Sequence, residues 1–264
     1  MTVLREIFLL RHGQTDDNKN QIIQGQRDSE LNESGIQQAK LTGQFFKKKQ
    51  IQSHHNGIHN NEKGFSFDEI WSSDLKRAHK TAEIVAKELN QPPNLIKTDK
   101  RLRERYLGDL EGKPRGSVVD RSNAEPAHKV LDRLLDFWKT ELAIQNINQN
   151  DDSNDCKPSK DRQLNYDTRI PRRILVVSHG AALRSLIYSG LVGTLQYQIS
   201  QDQLSIPIGN CSITLIHVTL SHHANQIVSV AHSSHLSALN VNKQLNTNAD
   251  DDEIKTNPLV HESK

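Results

Sequence analysis

One form recurs in this chain and limits what it can fold into: an apolar run that stops abruptly at a polar edge carrying histidine and glycine. It occurs at Ile7-Phe8-Leu9-Leu10 before Arg11-His12-Gly13-Gln14-Thr15, and again at Ile174-Leu175-Val176-Val177 before Ser178-His179-Gly180. Continuous apolar runs of this length are the pattern of strands buried on both faces. After the first, Asn32 is placed to cap a helix, and Ile36, Ala39, Gly43 and Phe46 recur on one face of it. Phe67 to Trp71 gives a second strand ending at Ser72-Ser73-Asp74, and Ala78, Ala82, Val85 and Leu89 form the buried stripe of the helix that follows. Leu95-Ile96-Lys97 is a short strand. Val130, Leu131, Leu134, Leu135, Phe137 and Trp138 define an amphipathic helix, and Ala182, Leu183, Leu186 and Ile187 the inner side of another after His179. Ser212–Val218 and Gln226–Ala231 are two more strands. Strands alternating with helices predict the α/β class, a three-layer α/β/α sandwich around a mostly parallel central sheet.

Composition bounds the rest. A hydrophobic fraction of 34% is low for 264 residues, so part of the length is expected to be solvated. Two tracts fit that expectation, near 47–63 with His54, His55 and His59, and 144–169 with its Asn, Asp, Gln and Ser. Residues 1–240 then form the folded domain, and 241–264, with the acidic run at 250–253, a polar disordered tail. A net charge of +2 predicts no general attraction to nucleic acid or membrane, and the oligomeric state is not legible. Cys156 and Cys211 make neither a disulfide framework nor a zinc spacing, and no signal peptide or spanning run is evident. The expectation is an intracellular protein, cytoplasmic or also nuclear, with no metal and no cofactor.

In a parallel sheet the carboxyl ends of the strands share one edge, where ligands bind. Arg11 with His12, Arg77, and His179 each follow a different strand, so they are expected to converge. Glu104 lies in a loop among Arg101, Arg103 and Arg105, an arrangement that also reads as a simple salt-bridged carboxylate. Two arginines, two histidines and a carboxylate hold too much positive charge for a metal and suit a dianionic phosphoryl group. One histidine can attack phosphorus, the other cations neutralise its oxygens, and a carboxyl group can protonate the leaving oxygen and later activate water.

Arg11-His12-Gly13-Gln14-Thr15 with Asn18, Gln24-Gly25, Ser72-Ser73-Asp74-Leu75-Lys76-Arg77-Ala78, Leu102 to Gly108 with Glu111-Gly112, and Val177-Ser178-His179-Gly180 stand in the order of a known family. The chain resembles the histidine phosphatase superfamily, also called phosphoglycerate mutase-like, in its first branch, with matches as far as Leu236. The resemblance implies that His12 is the phosphorylated nucleophile and Glu104 the proton donor. It implies a phosphate pocket of Arg11, Arg77 and His179, with Asn18, Gln24, Gly25 and the Gly180 backbone as further substrate contacts. His235-Leu236 looks like the family's closing His-Leu pair. Lys113 to Ala124 is short where the family's mutases carry a longer segment, which favours a metal-independent phosphatase acting on a small phosphorylated metabolite. The resemblance is closest to the broad-specificity and fructose-2,6-bisphosphatase-like phosphatases. Phosphoglycerate mutase-type transfer, or a catalytically inactive protein that binds phosphorylated ligands, are the alternatives. Glu125, Val130 and Arg133 keep the family spacing, with Pro126 where serine is usual, and Lys113, Arg115 and Arg121 can meet a second acidic group or simply face solvent.

Overall fold

Alternation along the apolar runs decides the layering. In β1 (Val3–Arg11), Ile7 and Leu9 enter one core while Phe8 and Leu10 enter the other. β4 (Arg172–Ser178) divides in the same way, Ile174 and Val176 against Leu175 and Val177. Successive side chains of a strand point to opposite faces, so a run apolar at every position needs cover on both. The computed structural model describes residues 2–54, 65–143, 171–220, 224–237 and 239.

β2 (Glu69–Ser72), β3 (Ile96–Thr98), β5 (Ile213–Thr219) and β6 (Gln226–His232) complete a six-stranded sheet of order β3-β2-β4-β1-β5-β6. The β3, β2, β4 and β1 neighbours pair in parallel; β5 is antiparallel to both β1 and β6. The mixed α/β class and the mostly parallel sheet are as expected. Register matters most between β1 and β4, where Arg5 to Arg11 lie opposite Arg172 to Ser178. Both strands therefore end at one level, and the His12 N–H donates to the Ser178 carbonyl at 3.0 Å.

α1 (Asp16–Lys19) is a single turn, and α2 (Glu33–His54) and α3 (Lys76–Glu88) cover the face that carries Phe8 and Leu10. α4 (Ala127–Phe137) and α5 (Gly180–Arg184), each prolonged by wider π-type turns, cover the other with Val130, Leu134, Phe137, Leu183 and Leu186. Phe8 meets Phe46, Phe65 and Phe67 edge-to-face at 5.3, 6.0 and 5.6 Å between centroids.

Three local expectations change. The second strand begins at Glu69, because Phe67 makes its main-chain bonds with the Gln91 side chain. In α2, Ile36 is only half-buried while Gln38 and Thr42 are buried, since this face meets the His12 loop as well as the apolar core. The polar tract expected from residue 47 continues α2 as far as His54 before the described residues stop. The side chains of His54, His55 and His59, Cys156, the whole of the 144–169 tract and the 241–264 tail lie outside the described residues.

Candidate active site

The turn after β1 is made by close approach of two glycines. A Cβ on Gly13 would stand 2.5 Å from the Gly35 carbonyl oxygen, and one on Gly35 only 2.0 Å from the Gln14 oxygen. The Gly13 and Gln14 N–H groups are taken by Thr81 Oγ1 at 3.0 Å and Gln38 Oε1 at 2.9 Å. His12 is 2% exposed, and its Nδ1 lies 2.7 Å from the Gly13 carbonyl. A carbonyl only accepts, so Nδ1 carries the hydrogen in the neutral ring and Nε2 carries the lone pair. Burial, then Arg77 and Arg11, push the His12 pKa well below the ordinary histidine value. The ring is therefore a neutral base.

His179 stands beside it, ring centroids 5.2 Å apart, and is neutral for the same reasons: burial first, then Arg77, His12 and Arg11. Its Nε2 is 2.9 Å from Ser73 Oγ, which also accepts from the Leu75 N–H at 3.3 Å. Serine Oγ can donate to Nε2 or accept from it, so the His179 tautomer follows from what the other ring nitrogen, Nδ1, meets. That atom is buried and has no hydrogen-bond partner among the described residues. Arg11 and Arg77 are fully buried. Arg11 Nη1 donates to the Ile208 carbonyl at 2.7 Å, and its guanidinium lies where a Cβ on Gly180 would come within 3.1 Å. Arg77, in the first turn of α3, donates to the Gly25 and Arg27 carbonyls at 2.6 Å each. Cations are disfavoured at that helix end, so these carbonyls hold the guanidinium in place.

Glu104 is 1% exposed. Its carboxyl oxygens accept from the Ala181 and Ala182 N–H groups at 3.0 and 2.9 Å, at the start of α5, and from Arg105 N–H at 2.9 Å. The flanking arginines are engaged elsewhere: Arg103 is bidentate to Asp74, Arg101 meets Asp99, Asp136 and Glu141, and Arg105 Nε donates to the Glu125 carbonyl. Glu104 is more than the simple salt-bridged loop carboxylate that its neighbours suggest. Main-chain donors one and two residues beyond Gly180 orient it, so it belongs to the same edge as His179.

The remaining expected contacts join the cluster through the His12 loop. Asn18 and Gln24 are buried and linked through Thr15, and Gly25, at φ +50, gives its carbonyl to Arg77. Sequence reading missed Ser73 as the partner of His179, Asn210 against the His12 carbonyl at 3.0 Å, and Arg133. Arg133 donates to the Arg101, Arg103 and Glu104 carbonyls and pairs with Glu125. The kept Glu125 and Arg133 spacing was the available signal for the last of these; Asn210 gave none. Lys113 and Arg121 are exposed and Arg115 half-buried, while His235 packs against α2, stacked on Phe45 at 5.0 Å. Among the described residues no cluster of metal-ligating side chains occurs, and no helix is long and apolar enough to cross a membrane.

The family model of the histidine phosphatase superfamily (branch 1) matches residues 7–59 and 56–133. A phosphoglycerate mutase of Schizosaccharomyces pombe is 32% identical over 213 residues, which span 76% of this chain and 87% of that one. The chain belongs to branch 1 of the histidine phosphatase superfamily. It is an enzyme of that family, whose general chemistry runs through a phosphohistidine. A broad-specificity phosphatase of Saccharomyces cerevisiae is 27% identical over 80% of this chain and 78% of its own. Among solved structures, YhfR of Bacillus stearothermophilus shares the fold with a TM-score of 0.58 at 23% identity, covering 88% of this chain and 99% of that one.

Proposed function

We propose that the protein is a phosphatase that hydrolyses phosphomonoesters of small metabolites through a phosphohistidine on His12. The observation that carries this reading is the state of His12: buried, neutral, with Nδ1 committed to the Gly13 carbonyl and so Nε2 as the nucleophile. Arg11 and Arg77 neutralise the phosphoryl oxygens, the neutral His179 faces them with Nδ1 as a hydrogen-bond donor, and Asn18, Gln24, Gly25 and Gly180 line the same pocket. His12 Nε2 attacks phosphorus, the ester P–O bond breaks, and the leaving oxygen takes a proton from Glu104. Water then attacks the phosphohistidine, Glu104 takes its proton, the P–N bond breaks and inorganic phosphate departs. Charge stabilisation comes from the protein's own cations, so the reaction is metal-independent.

Hydrolysis of p-nitrophenyl phosphate that survives EDTA, with an acid-labile phosphoenzyme lost in His12→Ala, is the expected result. No turnover with phosphate still bound would assign the protein to the inactive binders instead. The likeness to a phosphoglycerate mutase supports a second reading, transfer back to substrate. The short Lys113–Ala124 segment supports water as the acceptor, and phosphoglycerate isomerisation faster than hydrolysis would reverse the choice.

A further inference from the structure

Backbone groups of fixed polarity set the direction of the Asn18 and Asn210 amides beside His12. The Thr15 N–H can only donate, so the Asn18 atom 3.2 Å from it is the oxygen. Thr15 Oγ1 accepts from the Asn18 N–H at 3.1 Å and directs its own hydrogen to Gln24 Oε1 at 3.0 Å. Gln24 Nε2, the opposite end, is buried with no hydrogen-bond partner among the described residues. The His12 carbonyl can only accept, so the Asn210 atom 3.0 Å from it is nitrogen, and the same Nδ2 reaches Asn18 Oδ1 at 3.2 Å. Asn210 is 7% exposed, and its own oxygen has no hydrogen-bond partner among the described residues. An amide with an unpaired buried oxygen is held by its nitrogen.

The turn carrying Asn210 is built against the nucleophile. Its Ile208 carbonyl accepts from Arg11 Nη1 and its Ser212 carbonyl from Arg11 N–H, while Cys211 N–H returns a bond to the Arg11 carbonyl at 3.1 Å. Cys211 adopts φ +52, a left-handed conformation unfavourable for a residue with a Cβ.

We propose that Asn210 is a positioning residue for phosphoryl transfer. Its Nδ2 bridges the His12 carbonyl and Asn18 Oδ1, and so holds the main chain of the nucleophile and the Asn18 side chain in one fixed arrangement. This rests on the phosphohistidine reading, with Asn18 and Gln24 as substrate contacts.

The test is inhibition by inorganic phosphate together with p-nitrophenyl phosphate kinetics in Asn210→Ala, Asn18→Ala and the double variant. Asn210→Ala is expected to raise the phosphate inhibition constant about tenfold and to lower kcat/KM between roughly ten- and a hundredfold, as loss of an orienting buried hydrogen bond should. In the Asn18→Ala background the same substitution should change phosphate inhibition less than about threefold, because the two act as a unit. Independent, multiplying effects, or a single variant indistinguishable from wild type, would overturn the assignment. Should Asn210→Ala fail to fold, hydrogen exchange of the Asn210 side-chain amide in the wild type decides: strong protection supports the bond to His12, and exchange at the solvent rate refutes it. A wild type that forms no phosphoenzyme would defeat the functional reading; one that does, with an unaffected variant, defeats the role of Asn210 alone.

Discussion

The imidazole of His12 can attack phosphorus only while it is unprotonated, and what keeps it so is burial reinforced by Arg77 and Arg11. The charged ring would face both guanidinium groups without water to screen them. At pH 6 a free histidine is mostly protonated, whereas His12 and His179 should both remain neutral, His12 with its hydrogen on Nδ1. Histidine ¹⁵N NMR reads this directly, and an imidazolium signal for His12 at pH 6 would contradict it. The stability consequence has a definite sign. The unfolded chain takes up protons below about pH 6.5 while the native rings resist them, so stability is full above that value and falls as pH drops toward the native pKa values. Arg77 gives a second prediction. Arg77→Gln leaves the Gly25 and Arg27 carbonyls without a cation and should lower kcat by roughly a hundred- to a thousandfold. Arg77→Lys should recover little, because a point charge cannot span both carbonyls and still face a phosphoryl oxygen.

Elements bring these residues to one edge, and two contacts between elements carry most of that work. Arg133 on α4 grips the main chain of the Glu104 loop at three carbonyls while Glu125 holds it from the other side. Arg133→Ala should therefore cost kcat more than tenfold and about 1–3 kcal/mol of stability, the range for buried charged hydrogen bonds. Urea denaturation beside p-nitrophenyl phosphate kinetics checks both, and an unchanged kcat per folded molecule would make the pair merely structural. Gly13 against Gly35 is the other contact. Gly13→Ala forces carbon into the Gly35 carbonyl, and should cost about 2–3 kcal/mol or more. The contact of Gly13 with Gly35 is not legible in a single sequence, and for Arg133 the sequence offers its spacing from Glu125 alone, because α4 and the Glu104 loop, or the two glycines, are neighbours only after the sheet has assembled. The helix faces and strand ends were legible, because residues 7–10 and 174–177 are apolar at every position and the helices repeat near a period of 3.6. Glu104 was ambiguous for the same local reason: its sequence neighbours are arginines, and two of its main-chain donors come from α5.

The molecule as a whole depends on two cores that the sheet keeps apart. Phe46 lies in the one between β1 and α2, at van der Waals distance from Phe8, Phe65 and Phe67, and away from the catalytic edge. Phe46→Ala should cost about 3–5 kcal/mol in a denaturation experiment, with kcat per folded molecule close to wild type. The turn after β6 also ties the fold to pH. Burial, then His232, lowers the His235 pKa to about 4, and its Nε2 is 3.1 Å from Thr42 Oγ1 on α2. Between pH 6.5 and 4 the unfolded chain gains a proton here that the native state refuses, so stability is lost across that window. His235→Gln should remove roughly 2 kcal/mol of that acid dependence after allowance for partial solvent exposure, measured as the slope of unfolding free energy against pH.

Sequence alone determined the α/β class and the strands that end at Arg11 and Ser178, because both depend on local period, and it nominated five residues for the candidate pocket, Glu104 among them only through the family resemblance. Tertiary structure decided which nitrogen of His12 holds the hydrogen, what orients Glu104, and the part taken by Ser73, Arg133 and Asn210. Those depend on donors and acceptors separated by as many as 198 residues along the chain, as between Asn210 and His12. Only the register of β1 against β4 and the turn before β5 bring them within hydrogen-bonding distance.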